Sequence, residues 1–204
     1  MRAWIYDKTV RPLTAGWYRE VLSRLTDRAK LLDIGVGTGG ALFENAELVR
    51  TKRLHVHGID IDPDYVRQAQ RGVLAARLED NVSVEQISVY DHRGGPYDAA
   101  YFSASFMLMP DPPAALRHVV ELLRPGAPVF FTQTFEHRRS KIVEAAKPLL
   151  HRVTTINFGK VTYEEDFLEA IRRAGQDVEE MTTLETQRTR SFRLAVTRAA
   201  APPA

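Results

Sequence analysis

The chain has no cysteine among its 204 residues. That excludes disulfides, thiolate zinc sites and cysteine nucleophiles together, and it suits a reducing compartment. No run approaches the roughly 18 apolar residues of a membrane-spanning helix. The start, MRAWIYDKTVRPL, lacks the roughly 7–15-residue apolar segment of a secretory signal. A cytoplasmic protein that does not engage a membrane is expected. An excess of one charge is also missing: 28 Lys and Arg against 26 Asp and Glu leave a net charge of +2. Such a balance gives no clear nucleic-acid footprint. There is no internal repeat, no G-x-x-x-x-G-K-[ST] loop for nucleotide phosphates, and no Tyr-x-x-x-Lys pair of a short-chain dehydrogenase. His55 and His57 alternate along one strand-like run without a third ligand nearby in sequence, so no metal site is expected.

What is present fits one domain. A chain this long, 44% hydrophobic and 26% charged, buries roughly 70% of its unfolded surface. Short apolar or alternating runs at Lys30–Ile34, Leu54–Ile59, Val82–Gln86, Asp98–Ser103 and Val129–Thr134 predict strands. Between them Ala41–Arg50, Asp64–Glu79 and Ala114–Leu123 carry apolar residues at helical spacing, for example Val66, Ala69, Val73 and Ala76. Strand-helix-strand repetition means parallel pairing, because each return crosses the sheet through a helix. Asp62-Pro63 and Asp111-Pro112 read as N-caps with proline at the first helical position, and Arg124-Pro125-Gly126 as a stop. The C-terminal part departs from this pattern. Thr162 to Gly175 predicts a helix with Thr162 and Glu165 as a capping box. Strand-like segments Asp177–Thr183 and Ser191–Thr197 follow, with a link too short for a helical crossover, so they pair antiparallel or not at all.

The first strand runs into LLDIGVGTGG, residues 31–40. Gly35, Gly37 and Gly40 read G-x-G-x-x-G, the dinucleotide spacing, while Gly35, Gly37 and Gly39 read G-x-G-x-G. A glycine turn before a helix brings backbone N–H groups against an anionic group, whether pyrophosphate or carboxylate. Asp33, two residues before Gly35, decides between them: its charge opposes a pyrophosphate and suits a ligand that also bears an ammonium or sulfonium. The competing role for Asp33 is capping of the turn. Asp60 closes the second strand in HGIDIDP, and a carboxylate at that strand end can accept both hydroxyls of an adenosine ribose. Asp62 has a sufficient task as N-cap, whereas Asp60 has no capping role.

With these residues in view, LLDIGVGTG, HGIDIDP, the block YDAAYFSASFMLMPDPPAALRHVVELLRPGAPVFFTQTF and the closing helix and hairpin resemble the class I S-adenosylmethionine-dependent methyltransferases, over about residues 29 to 198. The resemblance implies an α/β fold, a doubly wound, seven-stranded, mostly parallel sheet of order 3-2-1-4-5-7-6 with strand 7 antiparallel. It divides the chain into an N-terminal helical cap segment at 1–28, the methyltransferase domain at 29–198 and a disordered tail at 199–204. It implies S-adenosyl-L-methionine as cofactor, with Asp33, Gly35, Gly37 and Gly39 around the methionine part, Asp60 on the ribose diol and Ile61 against adenine. Ser103, at the end of the fourth strand, completes that set. Where the family often has an acid and then a small or aliphatic residue to hold the adenine amino group, this chain has Ser88-Val89. Ser88 is favoured over the nearest acid, Asp91, whose alternative is a turn.

The acceptor side is less specific. Many small-molecule members carry histidine where this chain has Met107-Leu108, so an apolar substrate pocket around Met107 is expected, with core filling as the alternative. Asp111-Pro-Pro113 lies about eight residues beyond the strand end where a base- or amide-methylating motif sits, and reads as a cap. His137 is the candidate general base by placement; its alternative is an exposed first-turn histidine beside Arg138-Arg139-Ser140-Lys141. Segments like the aromatic N-terminus, with Trp4, Tyr6, Trp17 and Tyr18, close over the cofactor in the family, which puts Tyr6 near the substrate or else in simple packing. A small-molecule acceptor is expected. A protein or peptide methyltransferase, or a non-catalytic cofactor-binding partner subunit, are the alternatives, and the oligomeric state is left open.

Overall fold

In the computed structural model, residues 11–136 and 162–199 are described. Their strands form one sheet of order β3-β2-β1-β4-β5-β7-β6. Helix α1 (Arg11–Arg24) precedes β1 (Lys30–Ile34). The short helices α2 (Gly40–Phe43) and α3 (Ala46–Thr51) lead to β2 (His55–Asp60), and α4 (Pro63–Ala76) to β3 (Val82–Gln86). After β4 (Ala99–Ser103), α5 (Pro112–Glu121) and β5 (Pro128–Glu136), the chain re-enters at α6 (Glu164–Arg173) and ends in β6 (Glu180–Thr186) and β7 (Arg190–Arg198). Strands β1 to β5 pair parallel, while β7 lies antiparallel to both β5 and β6. The order and the single reversed strand are those expected.

Alternation along the strands sends side chains to two cores. On one face Leu32, Ile34, Phe102 and Phe131 meet α5 and α6. There Phe131 stacks on Phe102 at 5.3 Å, and Phe167 meets Phe106, Phe131 and Phe135 edge-on. Each such ring contributes roughly 1.5–3 kcal/mol by burial. On the other face Leu31, Val56, Tyr101 and Phe130 pack with α1 through Tyr18, Val21 and Leu22. Among the described residues no helix is long and apolar enough to cross a membrane.

Four expectations need revision. The predicted helix Ala41–Arg50 is interrupted at Asn45, which is buried and turns its amide to the carbonyls of Ala15 and Ala41, each at 2.9 Å. Pairing both N–H groups of the buried Asn45 amide nitrogen offsets the broken helix, because a buried unpaired donor costs more than one helical hydrogen bond gains. The cap of α6 is Tyr163 without a side-chain cap bond; the Thr162 hydroxyl accepts from Gln133 instead, at 3.2 Å. The antiparallel segment predicted at Asp177–Thr183 begins three residues later, at Glu180. Finally, Ala199 belongs to the domain, not to a tail: it is buried and exchanges backbone bonds with Ala127 and Gly126 at 2.9 and 3.0 Å. The caps at Asp62 and Asp111 are as expected, each side chain accepting from backbone N–H groups of its helix.

Helix α1 is fastened from below. The Lys52 ammonium donates to the carbonyls of Leu22, Ser23 and Leu25 at its C-terminal end. A cation there offsets the negative end of the helix dipole and fills orphan acceptors.

Candidate cofactor site

Parallel strands of a doubly wound sheet deliver their functional residues at their carboxyl ends. Here β1 ends in Ile34 and β2 in Asp60, and the connecting loop folds back over β2: Gly35 and Val36 donate to the carbonyl of Ile59 at 2.8 and 3.2 Å. Gly35, Gly37 and Gly39 all take positive φ, of 75°, 59° and 72°, and Gly39 is the left-handed cap of α2. The spacing in use is therefore G-x-G-x-G; Gly40 is the first residue of the helix. A side chain at Gly35 would meet Cβ of Ser105 at 2.7 Å, whereas one at Gly37 would enter open space. Gly35 is thus required for packing, and Gly37 leaves open space above a peptide whose N–H is bound to Asp60.

Asp60 carries a structural task that its sequence context did not reveal. One carboxylate oxygen accepts from Gly37 N–H and the other from Asp62 N–H, both at 2.9 Å. Asp60 is not the N-cap of α4, which is Asp62; it serves the turn because a strand-end carboxylate facing it is the nearest acceptor for the turn's orphan donors. Each oxygen retains a lone pair, so the clamp leaves acceptor capacity for a diol. Beside it Ile61 is 70% exposed, an apolar platform at the rim.

Asp33 is fully buried on the α1 side. Its Oδ2 accepts from the Tyr18 hydroxyl at 2.8 Å, while Oδ1 is buried without a hydrogen-bond partner. Burial raises its pKa from the ordinary 3.8 to about 7; the Tyr18 bond opposes that shift and the charge of Asp60 adds to it. The layer continues through Tyr101, whose hydroxyl shares a 2.8 Å bond with Thr132, and Ser103 at the end of β4 is half-buried. Burial pushes both tyrosines upward, so neither ionises near neutrality.

The remaining site residues spread along the same edge. Ser88 is half-buried in a turn, its carbonyl accepting from Asp91 and His92, with Asp91 exposed. The side chain of Val89 lies in the core. Met107 packs on that core within the 3-10 turn Phe106–Leu108, and Leu108 is 44% exposed. Tyr6 and His137 lie outside the described residues. Sequence reading missed Ser105, which backs Gly35, and Ala104, which turns the chain out of β4 at a φ of 55° without being glycine. Neither residue type signals its role locally. Tyr18 stood out as an aromatic, but its bond to Asp33 spans 15 positions of sequence. Two open clefts, of about 290 and 280 Å³, lie at the opposite edge, around the strand starts Lys30, His55 and Pro128, away from this chemistry.

Fold and loop together define a nucleoside-binding α/β domain of the methyltransferase type. Residues 32–129 match the family model described as "Methyltransferase domain". The chain is 28% identical over 184 residues to the ubiquinone biosynthesis O-methyltransferase of Acinetobacter baumannii, covering 86% of this chain and 74% of that one. It is 33% identical over 106 residues to the aklanonic acid methyltransferase DauC of Streptomyces, covering 50% and 47%. The chain spans about half the length of DauC and of an Aspergillus sclerotiorum O-methyltransferase, 47% and 46% respectively. In fold it matches a SAM-dependent methyltransferase from Aquifex aeolicus with a TM-score of 0.74 at 17% identity, over 98% of this chain and 97% of that one. Residues 32–129 thus match a methyltransferase domain, and the fold is that of an S-adenosylmethionine-dependent methyltransferase.

The residues present fit that cofactor. An unpaired buried carboxylate oxygen, open space at Gly37, a strand-end carboxylate with spare acceptor capacity and an exposed aliphatic platform match a ligand with a cationic end, a ribose and a flat base.

Proposed function

We propose that this chain transfers the methyl group of S-adenosylmethionine to a nucleophilic atom of a small-molecule acceptor. The observation that carries this reading is Asp33, a buried carboxylate with an unpartnered oxygen two residues before a glycine turn. A cation completes such a group; a pyrophosphate would repel it. The cofactor, when bound, supplies a methyl already activated by its sulfonium. Asp33 holds the cationic end, the backbone at Gly35, Gly37 and Gly39 frames the methionine part, Asp60 takes the ribose and Ile61 covers the base, with Ser88 and Val89 at its edge and Ser103 supporting Asp33.

Because the leaving group is built into the cofactor, the protein's contribution is alignment for in-line attack and exclusion of water. Met107 and Leu108 give the rim an apolar side suited to an organic acceptor. The names of the matched relatives, two of them O-methyltransferases, support a hydroxyl as the first acceptor to test. Tyr6, and His137 as a base for a protonated nucleophile, are assigned to the acceptor side on sequence placement alone.

Calorimetric titration tests the ligand. S-adenosylmethionine should bind at the micromolar scale, about −8 kcal/mol, and NAD should show no heat. Equal affinity for NAD would overturn the reading of Asp33. Extracts stripped of macromolecules should support methyl-dependent turnover; turnover only with the macromolecular fraction would move the acceptor to protein or nucleic acid. Asp60→Ala should weaken the cofactor at least about tenfold, since a hydrogen bond to a charged group contributes roughly 1.5–3 kcal/mol.

A further inference from the structure

The expectation of no metal site rested on the lack of a third ligand near His55 and His57, and the fold supplies what sequence proximity does not. His57 on β2, Glu85 on β3 and His92 in the connection after β3 gather on one face of the sheet, their ligand atoms all within 4.8 Å of one another. His57 Nε2 lies 3.2 Å and His92 Nδ1 3.9 Å from Glu85 Oε2, and the two rings stack at 5.1 Å. These separations are close to those of neighbouring ligands around a tetrahedral ion with bonds of about 2.0–2.2 Å.

We propose that His57, Glu85 and His92 form a divalent-metal site suited to Zn²⁺, which ties the connection after β3 to the sheet. The outer contacts distinguish this cluster from a chance meeting of polar side chains. A ligating imidazole needs its second nitrogen occupied by a partner that fixes the tautomer. His57 Nδ1 meets Ser83 Oγ at 2.8 Å and His92 Nε2 meets the Tyr97 hydroxyl at 2.8 Å, so both rings turn the other nitrogen toward Glu85, to which His57 Nε2 is hydrogen-bonded. His92 Nδ1 has no hydrogen bond among the described residues; Glu85, at 3.9 Å, is beyond bonding distance. Gly94 preserves the arrangement, since a side chain there would stand 2.6 Å from both His92 Nε2 and the Tyr97 hydroxyl. Two imidazoles and one carboxylate are a borderline donor set, the kind that takes Zn²⁺ over Mg²⁺ or Ca²⁺. His92 is 5% exposed and Glu85 48%, which leaves the outer side of the site open to a water as fourth ligand. Glu85 pairs with Ile59 and Gln86 with Asp60 in register, so Glu85 and Asp60 occupy successive positions along the sheet, whose side chains alternate between its two faces.

The full chain, stripped with chelator, should take up one equivalent of Co²⁺ with visible ligand-field bands, and one equivalent of Zn²⁺ should erase them. His57→Gln and Glu85→Gln should each weaken Zn²⁺ binding, measured against a chromogenic chelator, by more than about tenfold, and Ser83→Ala by about tenfold. Zn²⁺ should raise the melting temperature of the wild-type chain and not that of Glu85→Gln. Titration with S-adenosylhomocysteine confirms that each variant is folded. Glu85, being half-exposed, keeps the test decisive if a histidine variant does not fold. A wild-type chain that binds no Co²⁺, or bands that persist unchanged in Glu85→Gln, would overturn the site.

Discussion

Two regions meet at Asp33, and they hold their shape in different ways. The rim, from Gly35 to Gly39 with Asp60, is closed by backbone groups: Gly35 and Val36 on Ile59, Gly37 and Asp62 on Asp60. The layer beneath α1, with Tyr18, Asp33, Tyr101 and Thr132, is closed by side chains from four elements and leaves one carboxylate oxygen unsatisfied. The rim is complete without a ligand. The layer is not: one Asp33 oxygen is buried without a partner, and in the proposed reading that is where the cationic end of the cofactor is held. Shape and affinity are therefore assigned to different parts of the site.

Asp33→Asn separates the two most strongly. Removing the charge should weaken S-adenosylmethionine about 10²-fold at pH 8, in line with roughly 1.5–3 kcal/mol for a charged hydrogen bond, as read by calorimetry. The unliganded variant should at the same time be more stable there. In the unfolded chain Asp33 ionises near 3.8 and in the folded chain near 7, so between these values the folded state holds the extra proton. Its contribution to stability falls as pH rises through that window and is fully adverse above about 7, with a ceiling of roughly 4 kcal/mol from 1.36 kcal/mol per unit. Urea melts at pH 4 and pH 8 should show the gain only at pH 8. An unchanged melt would mean that Asp33 is solvated and the contrast between the regions false.

Gly35→Ala attacks the rim where it packs. Positive φ and the 2.7 Å approach to Ser105 should together cost roughly 2–4 kcal/mol of stability. Gly37→Ala faces open space and should lose only the backbone contribution, roughly 1–2 kcal/mol, yet weaken the cofactor more than that. Equal melting temperatures for the two variants would contradict the packing role of Gly35.

For the wild-type chain the same carboxylate predicts a pH profile. A cation binds the ionised form, so cofactor affinity should rise about tenfold between pH 6 and pH 8, which follows from a pKa of about 7. In Asp33→Asn the profile should be flat. A wild-type profile that is flat or falls with pH would place the cation elsewhere.

Tyr18→Phe should give the smallest effect at pH 5, where Asp33 is protonated: about 1 kcal/mol for one lost bond between neutral groups. Without its donor Asp33 should ionise at still higher pH, moving the midpoint of the affinity profile upward. A downward move would show that Tyr18 does not donate to Asp33.

Strand positions, the antiparallel last pair and the candidate residues Asp33, Asp60 and the loop glycines were legible from period, caps, link length and residue type at a strand end, whereas the strand order came from the resemblance to the methyltransferases. The interruption at Asn45 was not, because its reason is a carbonyl of Ala15, 30 positions away. The double duty of Asp60 was hidden too, since the N–H it clamps belongs to Gly37, 23 positions away.

By itself the sequence determined which residues could serve a cationic nucleoside ligand, since residue type and strand-end position are written locally. Only the tertiary structure decided how those residues are charged and supported. Burial sets the ionisation of Asp33, Tyr18 on helix α1 donates to it across the face of the sheet, and His57, Glu85 and His92 become neighbours when parallel strands and their connection bring them to one face. Desolvation and distance depend on the whole fold, and neither has a signature within a short stretch of chain.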